Sequence, residues 1–287
     1  MKTRTRSIIP CVKRLLCPAF LFFFLFLSQG FAQDREYQWE IGPGIFALGD
    51  NLAKISINDE YAFLNGNDTK ELMDSMGNPP SDSEVGLIVP RVNPPPWFLV
   101  FEYFPVGYIR DDEKDRLDSD AILKSIRKGT EQANELRKEK GFPSLNVLGW
   151  QEKPHYDPES HNLVWAMLAE SQGEKVINYN VRVLGRGGYM SVVLVTDPNT
   201  LEASRQQLAG VLSGFSYLQG NRYAEYTQGD RLAKIGLTAL VAGGAATVAA
   251  KTGILKLLAK NIKFVVLGLM ALLGGFWRKL KGVFGSE

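Results

Sequence analysis

The stretch NLVWAMLAESQGEKVINYNVRVLGRGGYMSVVLV, residues 162–195, contains three runs rich in β-branched and aromatic side chains, at 162–169, 176–184 and 189–195. Between the runs stand Ser171-Gln172-Gly173-Glu174 and Arg186-Gly187-Gly188. These are short turn signals of the kind that join neighbouring antiparallel strands. On either side, residues 145–150, 97–103, 87–92 and 52–57 read as further strands. Two helices stand out. One covers about 119–140, opened by Asp118 or Ser119 as N-cap and stopped by Gly141; the other covers about 200–212. The pattern predicts an α+β fold, a mainly antiparallel sheet with two or three flanking helices. A third helix is expected to begin near Gly229 and to run directly into the apolar C-terminal region.

The two ends of the chain differ from this middle. Lys2, Arg4, Arg6, Lys13 and Arg14 precede an apolar run at 20–27, and Gly30 and Ala32 supply small residues for cleavage before Gln33. Residues 1–32 therefore read as a signal peptide. Both cysteines, Cys11 and Cys17, lie within it, so disulfides and thiolate chemistry are excluded from the remainder. At the other end, residues 235–250 and 264–277 carry no charge, and Lys256, Lys260 and Lys263 fall between them. These features predict a C-terminal membrane-embedded helical region over 231–287, with the lipid bilayer as partner. The domain over 33–230 would then be held at a bacterial inner membrane, facing the periplasm. Ala239, Gly243 and Thr247, four residues apart, offer a small-residue face for self-association or for contact with another envelope protein.

Over the whole chain 33 basic residues nearly balance 31 acidic ones, but the balance is local. Between Gln33 and Asp230 there are nineteen basic and thirty acidic residues, a net charge of −11. Such a surface repels polyanions, and a nucleic-acid partner is excluded.

Several short motifs occur together: Phe101-Glu102-Tyr103, Gly107-Tyr108-Ile109-Arg110-Asp111-Asp112, Gly149-Trp150, Pro154 with Tyr156-Asp157, Trp165-Ala166, Asn178-Tyr179, Leu184-Gly185-Arg186, and Gly220 with Arg222-Tyr223. In this combination the chain resembles a bacterial uncharacterised membrane-anchored protein family built on a domain of unknown function. The resemblance spans nearly all of the chain after the leader. It implies an envelope location and C-terminal transmembrane segments, and implies no activity. The last part, a hairpin, a helix and then Phe215-Ser216-Tyr217, is also similar to the PsbP-like α/β/α sandwich.

Chemistry has few footholds. The two histidines share one window, His155-Tyr156-Asp157-Pro158-Glu159-Ser160-His161. Imidazole and carboxylate are zinc ligands and acid–base partners, so His155, Asp157 and His161 are the candidate metal or catalytic residues. The spacing matches no standard zinc motif, and Asp157-Pro158 and Ser160 are ordinary turn residues. Asp111, Asp112, Glu113, Asp115, Asp118 and Asp120 crowd the entry to the long helix, but Arg116 and Ile122 stand where a calcium loop needs Gly and Glu. Acids at a helix N-terminus are favoured by the macrodipole alone. Gly185-Arg186-Gly187-Gly188 joins two strands and opens no helix, so it is not a dinucleotide or phosphate loop, and no cofactor is expected. Two functions follow as expectations: a membrane-anchored periplasmic domain with a binding, assembly or scaffold role, and, as the alternative, a metal-assisted hydrolase using His155, Asp157 and His161.

Overall fold

The computed structural model describes residues 37–76, 81–91, 97–139 and 141–242. The chain opens with strands β1 (Glu40–Ile41), β2 (Gly44–Leu48), β3 (Ala53–Ile57) and β4 (Tyr61–Asn65), followed by helix α1 (Gly66–Ser75). Strands β5 (Glu84–Pro90) and β6 (Trp97–Phe104) lead to helix α2 (Ser119–Glu139). Four long strands follow, β7 (Asn146–Asp157), β8 (Asn162–Ser171), β9 (Glu174–Leu184) and β10 (Tyr189–Thr196). Helix α3 (Leu201–Ser213), strand β11 (Phe215–Tyr217) and helix α4 (Leu237–Val241) complete the described residues.

The quoted stretch forms the expected triple. Gln172 and Gly173 both have positive φ (54° and 84°), the geometry that a two-residue turn between twisted antiparallel strands requires. At the next turn, a Cβ on Gly188 would strike the Phe104 carbonyl oxygen, so glycine alone lets the β9–β10 hairpin pass the end of β6. Tyr217 ties this hairpin to the small sheet: its hydroxyl accepts from the Met190 amide and donates to the Val183 carbonyl, both at 2.8 Å.

All pairings between the strands described are antiparallel, and the larger sheet runs β1-β4-β5-β6-β10-β9-β8-β7. A second sheet, β11-β3-β2, lies on one face together with α3, and Leu48, Ile55, Leu208 and Val211 meet Trp97, Phe101, Val192 and Leu194 there. On the opposite face, Leu72 and Met73 of α1, Ile122 and Ile126 of α2, and Leu237 and Leu240 of α4 meet Val100, Trp165 and Val193. Strand β10 is central and covered on both sides, so all eight of its residues are buried, and apolar residues occupy both of its faces, with Ser191 and Thr196 its only hydroxyl side chains besides Tyr189. Helix α2 begins where Asp118 accepts from the amides of Asp120 and Ala121. It ends at Gly141, φ +76°, as the reading of its caps predicts.

The C-terminal expectation is corrected. No helix runs unbroken from Gly229. Residues 231–236 form no helix, Leu232 forms a parallel bridge with Tyr108, and α4 is a five-residue helix packed into the core, with Leu237 fully buried and Leu240 2% exposed. Among the described residues no helix is long and apolar enough to cross a membrane. The physical reason is that an apolar Gly/Ala-rich run serves a protein core as well as it serves lipid, and here its first residues find a protein partner. The expected membrane-embedded region, the bilayer as partner and the inner-membrane location facing the periplasm are corrected with it. Ala239, offered for helix association, is 6% exposed within this packing, whereas Gly243 and Thr247 lie outside the described residues. Residues 1–32, 243–250 and 264–277 also lie outside them.

Candidate functional site

The His155/Asp157/His161 window is dispersed by its own hairpin. Strand alternation turns His155 and Tyr156 to opposite faces of β7. His155 Nδ1 lies 3.3 Å from the Lys153 carbonyl and 3.6 Å from a Glu152 carboxylate oxygen. Asp157 closes the turn, accepting from the Glu159 amide (2.9 Å) and the Ser160 hydroxyl (2.5 Å), and these bonds hold its carboxyl below the usual range. His161, at φ +55°, meets the Tyr156 hydroxyl through Nδ1 at 3.2 Å. Among the described residues no group of three or more His, Cys, Asp or Glu side chains could hold a metal ion. The hydrolase alternative, which needed all three residues on one ion, is corrected.

The acid-rich segment before α2 is likewise shared out among separate tasks. Asp118 caps α2, Asp112 faces Arg110 (3.3 Å), Asp111 faces Lys114 (3.7 Å), and Glu113 accepts from the Thr238 amide at 3.0 Å at the start of α4.

A different constellation forms where the segment after β6 meets the segment before α4. Gly107, φ +99°, donates its amide to the Gly187 carbonyl, and a Cβ there would lie 2.6 Å from the Arg231 carbonyl oxygen. The chain then runs beside residues 231–233, with the Tyr108 amide donating to Arg231 O (2.7 Å) and Ala233 N donating to Tyr108 O (2.8 Å). Tyr108 is stacked between Tyr226 (4.2 Å) and Tyr223 (4.5 Å), and His161 extends the row at 4.5 Å from Tyr223. The Tyr223 hydroxyl donates to Ile109 O at 2.9 Å.

Burial, followed by the Asp111 carboxylate, pushes the Tyr156 phenol far above its ordinary pKa. Burial and the neighbouring Tyr108 do the same to Tyr223. These phenols stay protonated across the neutral range and cannot cycle as bases. Beside the row, Arg186 grips Asp230 through Nε (2.7 Å) and Nη2 (2.8 Å) and also donates to the Thr227 hydroxyl (2.9 Å). That pairing holds the Asp230 carboxyl well below the usual carboxylate range.

The two segments enclose a groove of about 220 Å³, walled by Tyr108, Arg110, Asp112, Glu113 and residues 232–236. Small-molecule and cofactor sites usually hold about 300–1,000 Å³, so this groove has room for one protruding side chain and not for a nucleotide. Its charges are nearly all spoken for. Arg110 and Asp112 face each other, and Glu113 caps α4. Lys234 is exposed and makes no ion pair or hydrogen bond among the described residues. At the rim, Leu232 is 44% exposed and Tyr226 38%.

Reading the chemistry of single windows missed this site, because its parts are far apart in sequence. The signal lay in the motifs Gly107-Tyr108, Gly185-Arg186 and Arg222-Tyr223, which the fold brings together: Gly185 bridges Arg222, and Arg186 N donates to Asn221 O.

The family described as Protein of unknown function (DUF2167) matches residues 40–274, and the chain belongs to that family. The transmembrane segments implied by the earlier resemblance are corrected by the packing of α4 and by the lack of a membrane-crossing helix among the described residues. No curated protein matches the chain. It is similar to the solution structure of cyanobacterial PsbP (CyanoP) from Synechocystis sp. PCC 6803, at 6% identity over 63% of this chain and 91% of that one, with a TM-score of 0.36. A likeness that slight carries no argument about function.

Proposed function

We propose that this DUF2167 protein is a non-catalytic recognition domain that binds a protein partner by taking one acidic side chain into the groove between residues 108–113 and 232–236. The observation that carries the reading is Lys234, an unpaired cation at a side-chain-sized groove whose other charges are already neutralised. A partner carboxylate completes Lys234, while apolar neighbours cover the exposed Leu232 and Tyr226. Protonated tyrosines and dispersed histidines leave no activated nucleophile or base at the groove, and this favours binding over catalysis.

The test uses capped pentapeptides of the form Ala-Leu-X-Leu-Ala, with X as Glu, Asp, Gln or Lys, titrated into the full chain while the backbone amide signals of residues 232–236 are followed. Peptides with Glu or Asp should shift these signals and those with Gln or Lys should not. Lys234→Glu should abolish the response and Lys234→Arg should retain it. Equal shifts with Gln, or an unchanged response in Lys234→Glu, would refute the reading.

The leader over residues 1–32 belongs to the same proposal as a segment removed before the domain acts. N-terminal sequencing of the purified protein should start at Gln33; a start at Met1 contradicts it.

A further inference from the structure

Glu84 and Glu102 are direct partners across the antiparallel β5–β6 pair, where opposed side chains stand about 4.5–5.5 Å apart at Cβ. A register shift between Glu84 and Gly86 interrupts the alternation beside them. Both acids are buried, Glu102 at 3% exposure and Glu84 at 8%.

Their partners are matched. The Ser81 hydroxyl donates to Glu84 Oε2 (2.8 Å), and the Ser191 hydroxyl donates to Glu102 Oε2 (3.2 Å). The Oε1 atom of each has no hydrogen-bond partner, so one bare, solvent-free oxygen remains on each member of an opposed pair. Two anions in that arrangement carry both a desolvation cost and mutual repulsion, whereas a proton on one carboxyl removes a charge and supplies a donor.

The neighbouring cations do not replace that proton. On β9, Arg182 lies one strand beyond Ser191, with its guanidinium 4.6 Å over the Trp165 ring and Nη2 bonded to Asn180 Oδ1. Its Nε and Nη1 have no hydrogen-bond partner, it forms no ion pair with Glu102, and its charge offsets only part of the burial and the Glu84 repulsion there. From α1, Lys70 acts on Glu84 but is bonded to Asp82 in the loop before β5. The remaining titratable neighbour, Tyr189 on β10, is itself held protonated by burial.

We propose that Glu84 and Glu102 together form a proton-binding site at the centre of the sheet, at which the folded domain holds one proton between two opposed, buried carboxyls. The electrostatics agree: burial, followed by the Glu84 carboxylate, pushes Glu102 up to about 7, and burial raises Glu84 as well.

The test follows the side-chain carboxyl carbons of ¹³C-glutamate-labelled full-length protein from acid to alkaline pH. One glutamate should titrate near neutrality, and Glu102→Gln should remove that transition. Glu84→Gln should lower the midpoint by roughly one pH unit, because the like charge is gone. Ser191→Ala should raise it, because a donor to the ionised form is gone. These two variants move the midpoint in opposite directions and keep the proposal open to refutation even if Glu102→Gln fails to fold. It is overturned if every glutamate of the wild type titrates in the ordinary carboxylate range. It is equally overturned if a neutral-range midpoint does not respond to Glu84→Gln, since that marks a single buried acid and not a pair.

Discussion

Ending the chain after Asp230 should lower its thermal midpoint by about 12–24 °C. The cut removes Leu237, Leu240 and Val241, each at most 3% exposed and each contributing about 1.5–3 kcal/mol by burial. Their sum, about 6 kcal/mol, is of the order of the whole stability of a domain, about 5–15 kcal/mol. The same cut strips Tyr108 of both its backbone partners and leaves Glu113 without the Thr238 amide it caps. Thermal unfolding followed by circular dichroism checks the prediction, and a truncated chain that melts within a few degrees of the full one contradicts it. Leu237→Ala in the full-length chain, expected to cost about 3 kcal/mol, separates the packing of α4 from the loss of the residues that follow it.

The second large effect is a fall in stability as the solution turns from mildly acidic to alkaline. In the folded domain Glu102 is raised to about 7, while the unfolded chain keeps the ordinary value of 4.5. Below both values the carboxyl is protonated in either state and contributes nothing. Between them only the unfolded state releases its proton, so stability declines with rising pH, and above about 7 the full penalty is present. Its size is about 3 kcal/mol. Asp230 works in the opposite sense: Arg186 depresses its folded pKa, so its contribution is present above the unfolded value and lost as pH falls below it. The two trends place the stability maximum near pH 4–5, in spite of the balanced charge of the whole chain. Urea unfolding at pH 5 and pH 8 should show the decline for the wild type, and Glu102→Gln should remove most of it. A variant whose two values differ as much as those of the wild type would assign the decline to the domain's general negative charge instead.

Periodicity and turn chemistry carried the long strands. The β8–β9–β10 triple, the caps of α2 and the span of α3 rest on contacts a few residues apart, and local sequence contains them. Strand β4 and helix α1 were not legible. Tyr61–Asn65 is five residues long and buried at its first four, which leaves no alternation to read, and α1 is a ten-residue helix whose first turn, Gly66-Asn67-Asp68 after the Asn65 cap, reads locally as a loop. The fate of residues 235–242 was misread because the deciding partners, Tyr108 and Glu113, precede them by more than a hundred residues. The same holds for the candidate sites. Histidines six residues apart looked convergent until the β7–β8 turn separated them, and the opposition of Glu84 and Glu102 exists only once β5 and β6 pair in register.

The position of β10 also has a consequence during synthesis. Its partner on one side, β6, precedes it by roughly ninety residues, and Trp97, Phe98, Leu99 and Phe101 of β6 are fully buried only in the finished sheet. At about 5–20 residues per second, roughly 5–20 s separate the emergence of β6 from the ribosome and the arrival of the strand that covers its open edge. For that interval the nascent chain carries an apolar edge able to pair with another chain. Nascent-chain chaperones would therefore find their binding site at residues 97–104.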